Sequence, residues 1–187
     1  MRWIWIDQFE EFHSGRSAKA VKNVSVAEDH IHEQYPGYPV MPHSLIIEGL
    51  AQTGGILVGE ANDFAEKVVL AKIPRVTFHD HALAGDVLRY EVTLTDLRPE
   101  GAVVDARVLK NGTLMAEAEI VFAHLDQSRG ADSELSAKNF VFTKDHLMAL
   151  LRMAKGTHQL NKSSRAEESQ PRTDDKPTGP VGRSSNP

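Results

Sequence analysis

Residues 44–60, "SLIIEGLAQTGGILVGE", constrain this chain more than any other stretch. Wound as a helix, the segment carries apolar side chains nearly all the way round, and such a helix has to be enclosed by the rest of the molecule. The residues before it are stiff. Pro36, Pro39 and Pro42 each fix φ, and Gly37 allows a close backbone approach. Pro42 suits the first position of the helix. A rigid loop therefore delivers the start of a buried helix to a fixed place. The free N–H groups there, helped by the helix dipole, can meet a developing negative oxygen.

What encloses the helix is legible on both sides of it. "WIWIDQFEEF" and "SAKAVKNVSV", separated by the turn signal "HSGRS", read as a hairpin, and residues 30–43 read as a proline-rich connection. After Asn62 the period changes. "KVVLAKIPRVTF", "DVLRYEVTLTDL", "GAVVDARVLK" and "TLMAEAEIVFAHL" are β-rich with period-two stretches, and Asn111-Gly112 joins the last two as a two-residue hairpin. The layout is two strands, one helix and four strands, an α+β class in which antiparallel strands can wrap the helix. Gly49, Gly54, Gly55 and Gly59 weaken a helix by propensity, and close packing against strands accounts for them.

The one acid inside the helix, Glu48, is the strongest chemical signal. Ser44, Glu48 and Gln52 follow one another at four-residue spacing and share a stripe. A buried carboxylate without a partner is costly, so Glu48 is paired, protonated or placed at a cavity that solvent reaches. The spacing alone leaves two readings open: a general acid, or a structural acid bonded to Ser44, Gln52 or backbone.

"QYPGYPVMPHSLIIEGLAQTGG" resembles the signature of the β-hydroxyacyl-acyl-carrier-protein dehydratases of bacterial fatty-acid synthesis. Pro36, Gly37, Pro39, Pro42, Leu45, Glu48, Ala51 and Gln52 match it. "RVTFHDHALAGDVLRYEV" is similar to the family's later strand-turn-strand segment, and "NGTLMAEAEIVFA" to its last hairpin. The resemblance spans about residues 4–125. It implies a hotdog fold, a curved antiparallel sheet around one long helix, and a homodimer with active sites shared across the interface. It implies a loop histidine that removes the α-proton of an acyl thioester and a helix acid from the other subunit that handles the β-hydroxyl. Backbone N–H at the helix start would polarise the carbonyl. Glu48 matches the acid, and Gly37, Pro42, Ser44 and Gln52 are the expected substrate-binding positions. Two positions depart. Gln34 stands where the family has its histidine, and an amide does not titrate near neutral pH. His43 stands where the family has a glycine, and it adds an imidazole at the helix start. His43 is thus the candidate for the missing proton-transfer group. His30 and His32 follow, because in an extended segment they lie on the same side as Gln34.

Composition bounds the rest. Residues 1–125 are expected to form the catalytic domain, with an extension over 126–155. In that extension Thr143 can cap a short helix with Leu147, Leu150 and Leu151 on one face. Residues 156–187 hold no aromatic and only Leu160 and Val181 as larger aliphatics, so they are expected to be a disordered tail. The chain of 187 residues carries a formal charge of −5, which gives no basic footprint for nucleic acid. There is no cysteine, so disulfides and thiolate metal sites are excluded, in keeping with a reducing, cytoplasmic compartment. The first residues are too short an apolar run for a signal peptide, and no stretch of about 18 apolar residues offers a membrane span. "HIH" (30–32) and "HDH" (79–81) contain metal-ligand types, but no fourth ligand has the right spacing, so neither metal nor cofactor is expected. The expected partners are an acyl thioester on acyl-carrier protein or coenzyme A, and a second copy of the chain. The function expected is dehydration or hydration of β-hydroxyacyl thioesters. A non-catalytic subunit binding an acyl chain or carrier protein, or a hotdog thioesterase, are the alternatives.

Overall fold

The computed structural model describes residues 4–33 and 35–125. Gln34, the expected helix within 126–155 and the expected tail over 156–187 lie outside the described residues. In chain order the elements are β1 (Gln8–His13), β2 (Ser17–Asn23), α1 (Asp29–Glu33), β3 (Val40–Met41), α2 (His43–Glu60), β4 (Lys67–Phe78), β5 (Ala82–Leu83), β6 (Val87–Arg98), β7 (Gly101–Lys110) and β8 (Thr113–Leu125). Six of the strands make one antiparallel sheet in the order β1-β2-β6-β7-β8-β4, and α2 packs across its inner face.

The period-two pattern sets that face. Ala102, Val104, Ala106 and Val108 of β7 point inward, as do Ala116, Ala118, Ile120 and Phe122 of β8. The turns obey their residues. Asn111 (φ 51°) and Gly112 (φ 90°) both lie in the left-handed region that a two-residue primed hairpin turn demands. The helix glycines let rings approach. A Cβ on Gly49 would stand 2.5 Å from the Tyr90 ring, and one on Gly54 would stand 3.0 Å from Phe122.

Near the N-terminus a buried cation closes the structure. Lys22, 7% exposed, holds Glu28 at 2.6 Å and Asp7 at 3.4 Å. Asp7 also accepts from the backbone and side-chain amides of Asn23. With its charge partnered on two sides, Lys22 ties the first hairpin to the segment that leads into the loop.

Three expectations change. The connection over 30–43 is not wholly extended, because α1 occupies its start and drives Ile31 into the core. Within that helical turn His30 and His32 diverge instead of sharing a side. His30 lies edge-on to the Trp5 ring at 4.9 Å, while exposed His32 meets the Val26 carbonyl at 2.6 Å. Pro42 is the N-cap residue, with φ −57° and ψ 136°, and not the first helical one. Its carbonyl accepts from Leu45 and Ile46, and this is what a capping position does. Finally, α2 is not enclosed along its whole length. Gly49 to Gly59 are almost all buried, but Ser44 is exposed and Leu45, Ile47 and Glu48 are half-buried. The sheet covers the helix only from its second turn onward.

Candidate active site

The site is assembled by the smallest ladder among the described residues. β3 pairs antiparallel with β5 through Val40↔Leu83 and Met41↔Ala82. Met41 and Ala82 are fully buried, so this register is fixed by packing. Carried outward, it puts the residues after Met41 against those before Ala82. His43 at the start of α2 thereby meets His81, with His43 Nε2 and His81 Nδ1 3.1 Å apart. The rings are 12° from parallel with centroids 5.0 Å apart. Given the short N···N contact, they sit side by side through a hydrogen bond and not face over face. The free face of His43 lies flat on Phe78 at the end of β4, with centroids 3.8 Å apart and an interplanar angle of 1°.

The loop carrying His81 is braced from three directions. Asp80 accepts from the His81 backbone N–H at 2.7 Å and pairs with Lys110 at the end of β7. Lys110 also donates to the His81 carbonyl at 3.0 Å. Asp86 accepts from Leu83 N–H at 2.8 Å and from the Asn111 side chain at 2.7 Å. The Asn111-Gly112 turn therefore supports the histidine loop from behind.

Electrostatics follow from this packing. Burial lowers the His43 pKa below its usual value, His81 lowers it further, and a hydrogen bond to the Asp80 backbone partly opposes both. The Lys110 ammonium, followed by the His81 backbone N–H, holds the Asp80 carboxyl below the ordinary range, and Asp80 raises Lys110 in return.

His43 and His81 line a cleft of about 350 Å³ together with Pro42, Ser44, Tyr35 and Tyr38. The two tyrosines are about half exposed and stand at its rim. Leu45 and Ile46 turn their N–H groups back to the Pro42 carbonyl, while those of His43 and Ser44 meet no backbone acceptor among the described residues. These are the donors that a helix start offers to an anion.

Glu48 stands elsewhere. Its Oε1 accepts from Gln52 Nε2 at 3.0 Å, and Gln52 Oε1 in turn accepts from the Trp5 backbone N–H at 2.8 Å. Gln52 is buried and holds Glu48, while Ser44 of the same stripe opens onto the cleft. Half-buried Glu48 is not on the lining of its own chain's cleft. Gly37, at φ +82°, makes the turn between Tyr35 and Tyr38. The structure thus joins His43, Ser44 and Pro42 in one cleft and leaves Glu48 with Gln52. It also adds His81, Asp80, Lys110, Phe78 and both tyrosines, which the sequence reading had not assigned to the site. "HDH" held the signal for two of them, immediately before a turn. Only the ladder's register shows that it faces His43. Among the described residues no three histidine or carboxylate side chains converge as a metal would require.

A curved antiparallel sheet holding one long helix is the hotdog fold. The FabA-like domain family matches residues 4–119, and the chain belongs to that family. Among curated relatives it is 41% identical over 124 residues to the 3-hydroxyacyl-[acyl-carrier-protein] dehydratase FabZ of Pelotomaculum thermopropionicum, a match covering 65% of this chain and 87% of that one. It is 34% identical over 125 residues to the FabZ dehydratase of Nitratiruptor sp., covering 63% and 84%. Among solved structures the dehydratase heterocomplex ApeI:P from Xenorhabdus doucetiae superposes with a TM-score of 0.58 at 14% identity, over 68% of this chain and 86% of that one.

Proposed function

We propose that the chain is a hydro-lyase that interconverts β-hydroxyacyl and enoyl thioesters, carried on acyl-carrier protein or coenzyme A, in fatty-acid synthesis. One observation carries this reading: an imidazole site centred on His43 opens onto a cleft at the N-terminal end of α2, in a chain 41% identical to a dehydratase. The hydrogen-bonded imidazoles of His43 and His81 together take over the proton-transfer task that Gln34 is not equipped to perform. The His43 and Ser44 N–H groups polarise the thioester carbonyl, and Gly37 and Pro42 shape the entrance. Glu48 donates to the leaving hydroxyl, with Gln52 fixing its orientation.

A homodimer completes the site. Glu48 is off its own cleft, so the acid that serves one cleft comes from a second copy. β4 is an edge strand that exposes Leu70 and Val76, a surface suited to that contact. A cytoplasmic location accompanies this reading.

The test is turnover of crotonyl- and longer enoyl-thioesters by the purified protein, with hydration and free thiol followed together. Hydration supports the proposal. Thiol release would make the protein a thioesterase, and binding without either would make it an acyl-binding subunit. Glu48→Gln is expected to lower hydration by about 10²–10⁴-fold with the fold retained.

A further inference from the structure

We propose that His81, and not His43, presents the nitrogen that receives the substrate's α-proton, with His43 behind it as the second half of a hydrogen-bonded pair. The inference rests on the dehydratase reading above and assigns the proton within that site.

The geometry points this way because His43 has little left to offer. One face of its ring is covered by Phe78, and its Nε2 is engaged by His81 Nδ1. A neutral imidazole has one N–H and one lone pair. In the tautomer that carries the His43 proton at Nδ1, the lone pair at Nε2 accepts the His81 Nδ1–H. The lone pair left over belongs to His81 Nε2, on an exposed ring that lines the cleft.

The same arrangement decides where the positive charge goes. His43 is partly buried and sits at the positive end of α2, two reasons for it to resist becoming a cation. His81 lies off the helix, beside the Asp80 carboxylate that already accepts its backbone N–H. Lys110 neutralises part of that carboxylate, so the pocket offers the new cation a partner without a free excess of negative charge.

The step balances as follows. His81 Nε2 takes the proton from C2 of the β-hydroxyacyl thioester, and the C2–H electron pair becomes the C2=C3 double bond. The C3–O bond breaks, and its electrons leave with the hydroxyl, which takes a proton from the carboxyl of Glu48 of the partner subunit and departs as water. The imidazolium then passes its proton to solvent, and that carboxylate regains one. No oxidant or co-reactant is needed.

Two substitutions separate proton transfer from positioning. His81→Ala removes both nitrogens. His81→Asn keeps a polar group near the Nδ1 position, able to bond His43, but has nothing at Nε2. Dehydration and hydration are measured for the wild type and both variants, with circular dichroism to verify folding and with added imidazole as a rescue agent. Both variants are expected to lose about 10²–10⁴-fold in kcat, and imidazole is expected to restore part of it saturably. Near-normal activity in His81→Asn with loss in His81→Ala would overturn the proposal and leave His81 a positioning residue for His43. Full activity in both, or loss that imidazole does not rescue, would also overturn it. An inactive wild type would overturn the dehydratase reading itself, a result distinct from any of these.

Discussion

Gly49 faces the ring of Tyr90, which is fully buried on β6, and the two cannot both be larger. Gly49→Ala gains helix propensity of about 1 kcal/mol, but its methyl would enter the ring at 2.5 Å. The overpacking should prevail and destabilise the fold by about 1–3 kcal/mol, read as a lower denaturation midpoint at unchanged m-value. A higher midpoint would mean that Tyr90 moves aside. A second prediction concerns acid. Burial lowers the His30 pKa below 6.5, and the His43 pKa is lowered in the same direction. As pH falls through that value, the unfolded chain takes up protons that the folded chain refuses, so stability is lost on acidification. Melting temperature should drop between neutral pH and about pH 5, and His30→Leu should flatten that drop. At this scale the sequence was informative where partners are near neighbours. The Glu48–Gln52 bond follows from helical spacing. The Trp5 amide that holds Gln52 lies 47 residues away, and no local pattern announces it.

Among the elements, the edge strand β4 has the clearest consequence. If its exposed Leu70 and Val76 meet a second copy, Leu70→Asp should shift the protein towards monomer in sedimentation and reduce hydration with it. Unchanged sedimentation would move the contact to another surface. The long strands and α2 were readable because their periods persist over many residues. The ladder β3–β5 was not, since two residues a side define no period. α1 was hidden for a related reason: one turn among prolines looks like a loop. Pro42 suits either the cap or the first helical position by its φ, and only its extended ψ of 136° separates them. The site inherits this limit. His43 was visible as an unusual residue in a recognisable motif, but its partner across an unreadable ladder was not.

For the whole molecule, the described core and the family match end near residue 120, while the sequence runs to 187. The composition beyond Gly156 holds too little apolar surface for a core. A chain ending at Lys155 should therefore keep its melting temperature within a few degrees, and a larger loss would show that those residues contribute to the fold. Beyond the two hairpins marked by their turns, the neighbour relations of the sheet were not legible in the sequence. Nothing in the alternation of β2 says that it pairs with β6 and not with β4.

The pairing of β2 with β6 also bears on how the protein is made. Asn23 pairs with Val87, and α2 lies between them in the chain. A ribosome releases the first hairpin and the apolar helix well before the strands that enclose them, a delay of several seconds at about 5–20 residues per second. During that interval the helix has no sheet to lie in. The nascent chain is thus a natural client for chaperones, and slowing translation just before β6 should lengthen its exposure more than slowing it after β8.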